Sequence, residues 1–225
     1  MRQGQTEQRS TVSAASHISP AALVVLATAF VVLASTTARA DAIVDLLKKP
    51  GHVGFMRHAL APFENAPTGH VPTSRLSDCS RQRNLDDVGR ADARRIGALF
   101  NRVGLAFDHV YTSAWCRCRE TAALIIGNEP ENLPLINSFY KDPDKSVAKK
   151  QIAALKQFVT TKLASEARTL MVTHGSLISA LTGIDTTESE IVVVVRDGKG
   201  RKDRVTMLPR SLAADLRAFL LGRPR

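Results

Sequence analysis

The fold prediction turns on Val53-Gly54-Phe55-Met56-Arg57-His58-Ala59. Its first four residues are apolar or small, which predicts a short buried strand that ends at an arginine and a histidine. Loops just past strand ends are where α/β proteins place functional groups. An imidazole beside a guanidinium at such a point indicates a nucleophile next to a group that binds an oxyanion. The alternative is a strand that simply surfaces with two polar residues.

Strands and helices alternate through the rest of the chain. Further strands are predicted at 108–111, 133–136, 169–173 and 191–195. Helices are predicted at 41–49, 87–103, 115–127, 144–163 and 176–181. This alternation predicts a layered α/β domain with a mostly parallel sheet. Residues 59–83 lack periodicity, and a loop of that length in a compact domain is usually functional.

The helix predicted at 87–103 has the most explicit pattern. Asn84 or Asp86 is expected to cap its start, and Gly104 to end it. Its apolar residues predict one buried stripe, made of Val88, Ala91, Ile96, Leu99, Phe100 and Val103.

The positive charge of the chain is concentrated at its ends. The 225 residues carry a formal net charge of +10. Residues 1–40 contribute +2 (three basic, one acidic), residues 196–225 contribute +6 (nine basic, three acidic), and the body only +2 (19 basic, 17 acidic). The body is therefore nearly neutral, and the basic character belongs to the two terminal segments.

The first 40 residues resemble an export signal. Residues 21–35 form an apolar run that is shorter than the roughly 20 residues needed for a comfortable membrane span. Ala38-Arg39-Ala40 then provides the small-x-small pattern of a cleavage site before Asp41. We expect a signal peptide at 1–40 and a periplasmic or secreted protein. An uncleaved leader is the alternative, and it would be the protein's one expected contact with a membrane.

Three cysteines exclude a disulfide-rich scaffold. In an exported protein one bridge is expected, from Cys79 to either Cys116 or Cys118, whereas three reduced thiols are the alternative. No cysteine and histidine set has the spacing of a zinc site, so no metal is expected.

Three predicted strand ends carry chemically related groups. They are Arg57-His58, Ser113 with Arg117 four residues later, and His174. Because a parallel sheet brings strand ends to one edge, these groups are expected to meet there. Two arginines and two histidines predict a pocket for an anion, and a phosphoryl group fits because guanidinium forks match its oxygens.

These motifs resemble the histidine phosphatase superfamily, the phosphoglycerate-mutase-like phosphatases. The family's Arg-His-Gly signature corresponds to Arg57-His58-Ala59, and its second His-Gly pair to His174-Gly175. Its Ser-Pro-x-x-Arg segment corresponds to residues 113–117, with Ala114 in place of proline. Leu85 to Ala93 resembles the family's Leu-Thr-x-x-Gly helix entry. The resemblance spans about 52–195.

The resemblance implies a fold, a domain and a mechanism. The fold would be a three-layer α/β/α sandwich with a mostly parallel central sheet, occupying residues 41–195. His58 would attack phosphorus and become a phosphohistidine, while Arg57, Arg117 and His174 hold the non-bridging oxygens. Neither a metal nor another cofactor would be required. We therefore expect an exported phosphomonoester hydrolase, with a noncatalytic phospholigand-binding module as the alternative.

The proton donor for the leaving group is open at this stage. Asp142 and Asp144 are the candidates, because one branch of the family places a carboxylate after the second motif. The alternative for each is a solvated loop acid or a helix cap. Gly175-Ser176 excludes the arrangement in which an aspartate follows the second histidine.

Residues 196–225 differ in character from the body. Arg196 to Pro209, with Lys199 in a Gly-Lys-Gly turn, resembles the β-hairpin of tyrosine recombinases of the integron-integrase type. The recombinase active-site motifs are absent, so no specific nucleic-acid partner is expected. An ordinary basic hairpin followed by a helix is the alternative. The expected partner is a small phosphomonoester or a phosphorylated component of the cell envelope.

Overall fold

The computed structural model describes residues 43–63, 71–140, 142, 144–161, 163 and 167–195. The leader predicted at 1–40 and the tail at 196–225 lie outside these residues. The described strands are β1 (His52–Arg57), β2 (His109–Thr112), β3 (Glu131–Asn132), β4 (Thr169–Thr173) and β5 (Ile191–Val195). The helices are α1 (described over 43–48), α2 (Asp87–Arg102), α3 (Cys116–Ile126), α4 (Lys145–Thr161) and α5 (Gly175–Thr182).

The five strands form one mostly parallel sheet in the order β3-β2-β4-β1-β5. β1, β2 and β4 run in the same direction, and β5 is antiparallel to β1 at the edge. β4 occupies the centre, since it pairs with β1 on one side and β2 on the other. Its five residues are all buried, as expected for a strand covered on both faces.

Helices cover both faces of the sheet. Because side chains alternate along a strand, Phe55 and Met56 of β1 face opposite ways, and they belong to two separate hydrophobic clusters. Met56 packs in the cluster that contains residues of α1, α2 and α3. Phe55 packs in the cluster that contains residues of α4 and α5. The predicted three-layer α/β/α arrangement is therefore confirmed.

Helix α2 begins where the sequence placed it, but its buried face is rotated from the prediction. Asp86 is the cap, because its side chain accepts a 2.7 Å hydrogen bond from the backbone N–H of Gly89. Val88 is 44% exposed and Ala91 is also exposed, so their assignment to the core was wrong. The buried face is made of Gly89, Asp92, Ala93, Ile96, Gly97, Leu99 and Phe100.

The strand predicted at 133–136 was also misplaced. β3 is the two-residue segment Glu131–Asn132, and Pro134–Ile136 forms a 3₁₀ turn instead. Proline at the first position of this turn lacks the N–H that a sheet ladder needs, whereas a helical first turn does not use that N–H.

Within the described residues, no helix combines the length and apolar character required to cross a membrane.

Candidate active site

Three strands deliver the predicted residues to one edge of the sheet. β1, β4 and β2 are adjacent, and their registers align Arg57 with Thr173 and Thr112 with Val172. The backbone N–H of His58 donates to Thr173 O at 3.0 Å, and that of Ser113 donates to Val172 O at 3.0 Å. The residues that follow each strand therefore lie side by side. A cavity of about 910 Å³ opens above them.

His58 lies in this cavity with one ring nitrogen fixed by the backbone. It is only 2% exposed. Its Nδ1 is 2.8 Å from Ala59 O, and since a carbonyl oxygen can only accept, Nδ1 carries the proton. Burial, and then the charge of Arg117, hold the pKa of His58 well below its usual range. The ring is therefore neutral, with an unprotonated Nε2.

Arg117 connects the two histidines. It projects from the first turn of α3, four residues after Ser113, which directly follows β2. Its Nε donates to Nε2 of His58 at 3.0 Å, and its Nη2 lies 3.1 Å from Nδ1 of His174. The guanidinium also stacks 4.7 Å from the ring of Trp115. Burial lowers its pKa from the usual arginine value.

His174 has the opposite tautomer to His58. Arginine can only donate, so Nδ1 of His174 accepts from Arg117 and Nε2 carries the proton. That Nε2 lies 2.9 Å from Ser113 Oγ, which in turn lies 3.0 Å from Asn137 Oδ1. Asn137 is fixed by the N–H of Ala114, which donates to the same oxygen at 2.8 Å. Burial, followed by Arg117, holds the pKa of His174 well below its usual range.

The guanidinium of Arg57 is held by residues of the segment before β5. Its Nη1 donates to Thr186 O at 2.5 Å, and its Nη2 pairs with Oε1 of Glu188 at 2.6 Å. Its Nε is buried and has no partner among the described residues. Arg57 therefore presents a fixed guanidinium with a donor still available.

A third arginine enters the site from the loop before α2. Arg83 Nη2 lies 3.4 Å from Nε2 of His58, and its guanidinium is stacked 3.8 Å from the centre of the Phe63 ring. Burial, and then Arg117, lower the pKa of Arg83 to about 10. Its Nη1 is buried without a partner in the described part of the chain.

A disulfide attaches this loop to helix α3. Cys79 is bonded to Cys116, which resolves the two pairings left open by the sequence. Next to it, Gln82 Oε1 accepts a 2.9 Å hydrogen bond from the N–H of Cys116, and its Nε2 donates to Leu76 O at 2.8 Å. The segment that carries Arg83 is thus held against the helix that carries Arg117.

The third cysteine, Cys118, lies at the site as a protonated thiol. Cys118 is fully buried, and its Sγ lies 3.5 Å from Nε2 of His174. Burial raises its pKa to about 12, so it remains a thiol at neutral pH.

The two candidate proton donors differ in their surroundings. Asp142 lines the cavity, on the same wall as Tyr140 and Ser138. Asp144 accepts hydrogen bonds from the N–H of Ser146 at 2.8 Å and from its hydroxyl at 2.9 Å. These bonds lower its pKa from the usual aspartate value, since they favour the charged form. Asp144 therefore has the surroundings of a helix cap.

The pocket is suited to a tetrahedral anion. Three guanidinium groups and two neutral imidazoles converge, and in the described part of the chain the buried Nε of Arg57 and Nη1 of Arg83 have no protein acceptor. Among the described residues, no group of three or more His, Cys, Asp or Glu side chains could hold a metal ion. The cationic side chains provide a positive field for such an anion.

The sequence predicted four of these groups and missed others. Arg57, His58, Arg117 and His174 meet as expected, because each follows or closely follows a recognisable strand. Asn137, Gln82 and Glu188 were not anticipated, since they come from non-periodic segments and have no motif that marks them.

Comparison with known proteins agrees with the motifs. Residues 55–137 match the model of the histidine phosphatase superfamily, branch 1. A curated relative, the 2,3-bisphosphoglycerate-dependent phosphoglycerate mutase of Azorhizobium caulinodans, is 48% identical over 46 residues. That match covers 20% of this chain and 22% of the relative, so the chain corresponds to about a fifth of the relative's length.

Solved structures of similar architecture include three phosphatases. The protein histidine phosphatase SixA complexed with tungstate has a TM-score of 0.46 at 21% identity, covering 66% of this chain and 90% of that one. The alpha-ribazole phosphatase of Shigella flexneri has a TM-score of 0.48 at 15% identity, with coverages of 71% and 96%. Phosphoserine phosphatase of Entamoeba histolytica in complex with 3-phosphoglyceric acid has a TM-score of 0.47 at 14% identity, and the match covers 64% of this chain and 90% of that one. These likenesses concern the fold and not the activity.

Proposed function

We propose that this chain is a histidine phosphatase, an exported phosphomonoester hydrolase with His58 as its nucleophile. The observation that carries the proposal is the unprotonated Nε2 of His58 at the floor of a cavity, with the guanidinium groups of Arg117 and Arg83 directed at it. The match of residues 55–137 to the superfamily supports the same assignment.

In the first step, the Nε2 lone pair of His58 forms a bond to phosphorus while the bond from phosphorus to the leaving oxygen breaks. The leaving oxygen takes that electron pair and needs a proton. The Nδ1–H bond to Ala59 O stabilises the positive charge that develops on the ring. A water then attacks phosphorus, the P–N bond breaks and Nε2 regains its lone pair, while the proton of the water passes to the group that protonated the leaving oxygen.

Binding of the phosphoryl group requires an exchange of hydrogen bonds. Without ligand, Arg117 donates to His58 and His174. We infer that phosphoryl oxygens take over these donors, which frees Nε2 of His58 for attack. Arg57, Arg83 and His174 complete the set of groups around the oxygens, where charge spreads in the transition state.

Asp142 is the better candidate for the proton donor. It lines the cavity, where its Oδ1 accepts from the N–H of Asp144 at 2.9 Å, whereas both carboxylate oxygens of Asp144 are engaged with Ser146. Replacement of Asp142 by Asn should lower kcat most for substrates with poor leaving groups and least for an aryl phosphate, because only a basic leaving oxygen needs the proton. Equal loss for both substrates would contradict the assignment.

Two other functions share the pocket. A mutase would transfer the phosphoryl group to a second alcohol, and the 46-residue match to a phosphoglycerate mutase favours this alternative. A noncatalytic phospholigand-binding module would bind phosphate without turnover. Release of inorganic phosphate, transfer to an acceptor alcohol and binding alone are three separate readouts on one purified protein.

The decisive experiment is capture of the phosphoenzyme. Incubation with a labelled phosphomonoester, followed by a rapid quench, should give a label that is stable in alkali and lost in acid, as expected for a phosphohistidine. His58→Ala should abolish both the label and turnover. His52→Ala is the matched control, because His52 lies on the same strand and its Nδ1 bonds the carbonyl of Pro50, away from the pocket. Full turnover by His58→Ala would overturn the proposal.

The cellular setting of this function is an extension of the sequence argument. We propose that residues 1–40 direct export, and that the substrate is a small phosphomonoester or a phosphorylated envelope component. The Cys79–Cys116 disulfide supports an oxidising compartment, where such bonds persist.

A further inference from the structure

The segment before β5, whose Thr186 lines the cavity, holds Arg57. Thr186 O and Oε1 of Glu188 accept hydrogen bonds from two different nitrogens of the guanidinium, at 2.5 and 2.6 Å. The backbone of the same segment is tied to β1, since Ser189 N donates to Arg57 O at 3.2 Å and Arg57 N donates to Glu190 O at 2.9 Å. Side chain and main chain of Arg57 are thus held by a single turn.

This arrangement restricts the orientation of the guanidinium. With two of its three nitrogens bound to fixed acceptors, the group cannot rotate without losing a hydrogen bond. The Arg57 and Glu188 side chains are 20% and 19% exposed, so their ion pair is shielded more than a surface pair. These two bonds use two of the five N–H donors, and among those left over the Nε–H is buried and lacks a partner in the described residues.

Gly175 also lies against the Arg57 side chain. A Cβ placed there would lie 3.3 Å from both Cδ and Nη1 of Arg57, closer than side chains usually approach. The guanidinium is therefore in contact with both the first residue of α5 and the turn that contains Glu188.

The charge of Glu188 also acts on the rest of the pocket. Arg57, Arg83 and Arg117 are close enough for the charge of Arg57 to lower the pKa of the other two. Glu188 acts on Arg83 in the opposite sense and favours its charged form. A carboxylate behind Arg57 thus offsets part of the repulsion among three guanidinium groups.

We propose that Glu188 is a positioning residue for phosphoryl binding: it fixes the Arg57 guanidinium for contact with a phosphoryl oxygen and balances the charge of the three-arginine pocket. The inference rests on the proposed function for its chemistry, but its binding part needs only an oxyanion. Glu188 is separate from the residues that the sequence motifs identified.

Two substitutions of Glu188 separate its two effects. Glu188→Gln removes the charge and retains an oxygen that can accept from Arg57, whereas Glu188→Ala removes both. Loss of one negative charge from the pocket should tighten binding of inorganic phosphate about threefold in the Gln variant. In the Ala variant the guanidinium is no longer held, so phosphate should bind about tenfold more weakly than in the Gln variant. The difference between the two variants isolates orientation, because both lack the charge.

The kinetic expectation follows the same logic. With an aryl phosphate as substrate, Glu188→Gln should keep kcat within about threefold of the parent. Glu188→Ala should lower kcat on the order of tenfold or more, because a contact that strengthens in the transition state is lost.

The matched control is Glu190→Gln. Glu190 belongs to the same turn, and its Oε2 accepts from the N–H of Thr187 at 2.7 Å rather than from Arg57. It should lower the melting temperature while leaving phosphate affinity and kcat unchanged. Melting temperatures of all variants are measured on the full chain, and phosphate binding is measured by calorimetry.

The inference is overturned if Glu188→Ala and Glu188→Gln bind phosphate equally, or if kcat follows the melting temperature across all three variants, as a purely structural role requires. A parent protein that binds phosphate but turns over no monoester would contradict the proposed hydrolase. The Gln-to-Ala difference in phosphate affinity would still decide the role of Glu188.

Discussion

At the scale of single residues, burial lowers the pKa of His58 and His174. Each imidazole is almost completely removed from water, and arginine charges surround both, so protonation is unfavourable. A neutral His58 is required for a nucleophile, whereas a histidine at the surface would be partly protonated near neutral pH. In the proposed reaction, the arginines that bind the anion are thus also the groups that keep His58 neutral.

This effect predicts an unusual acid limit of activity. Because the pKa of His58 lies well below 6.5, kcat/KM should stay constant as the pH falls through 6.5 and decline only at lower pH, after correction for ionisation of the substrate. A pH–rate profile with an aryl phosphate measures this limit. An acid midpoint at about 6.5 would show a solvent-exposed imidazole and contradict the buried site.

The lowered pKa values of His58 and His174 also make the free energy of unfolding depend on pH. The unfolded chain binds protons on both histidines as pH falls below about 6.5, whereas the folded chain does not until lower pH. The free energy of unfolding should therefore decrease between pH 6.5 and the lowered folded-state values. Denaturant titrations across this range should show a smaller decrease in the double variant with His58→Ala and His174→Ala, since those groups no longer titrate.

At the scale of elements, the loop that carries Arg83 is held by covalent and polar links to α3. The Cys79–Cys116 bond and the Gln82 contact join this loop to the first turn of that helix, next to Arg117. Arg83 and Arg117, which come from separate segments of the chain, are thereby both held next to His58.

Breaking the bond should affect both binding and stability. In the double variant with Cys79→Ser and Cys116→Ser, the free energy of unfolding should fall by about 4 kcal/mol, since the bond closes a loop between residues 37 positions apart. KM should rise because Arg83 is less restricted. Urea titrations and steady-state kinetics measure the two effects. A reductant should reproduce both in the parent protein and leave the double variant unchanged; an unaltered KM would separate the loop from substrate binding.

Glycines explain why the buried face of α2 was misplaced. A Cβ at Gly89 would overlap Leu60 O, and a Cβ at Gly97 would overlap Ile125 O of α3, so the backbone itself forms the contact at both positions. Hydrophobic periodicity does not count glycine as a buried residue, so it assigns Val88 and Ala91 to the buried stripe instead. At Gly97 the buried face of α2 is therefore defined by its close approach to α3 and not by a large apolar side chain.

Gly97→Ala should therefore separate α2 from α3. We expect a loss of about 2 kcal/mol or more in the free energy of unfolding, because the added methyl meets backbone that cannot rotate away. Gly104→Ala is the matched control: its φ of 65° costs about 1 kcal/mol, but no atom lies within 4 Å of the new Cβ. Thermal unfolding of both variants tests the comparison, and equal losses would show that α2–α3 packing is not the cause.

At the scale of the whole molecule, two hydrophobic clusters lie on opposite faces of the sheet, and the site lies at its edge. The clusters hold the strands, and the strand ends hold His58, Ser113 and His174. Such an arrangement separates stability from chemistry, because the reactive residues are not part of either cluster. Substitutions in the pocket can therefore change activity with small effects on folding.

The proposed export of the chain has a direct test. When the full chain is expressed in a bacterium with an outer membrane, the periplasmic fraction should contain a protein whose N-terminus lies near Asp41. Replacement of Ala38 and Ala40 by Asp should block this cleavage, since small residues are required there. N-terminal sequencing measures the outcome. Recovery of the uncut chain from the cytoplasm of the parent strain would contradict export.

The sequence by itself determined the alternation of strands and helices, the four motif residues and the edge where they meet. It could do so because burial imposes a period on each element, and because parallel strands must end together. Only the tertiary structure decided the partner of Cys79, the arrival of Arg83 and Asn137 at the histidines, and the hold of Glu188 on Arg57. These contacts join non-periodic segments far apart in the chain, and their geometry depends on how the whole sheet and its loops pack, so no local pattern encodes them.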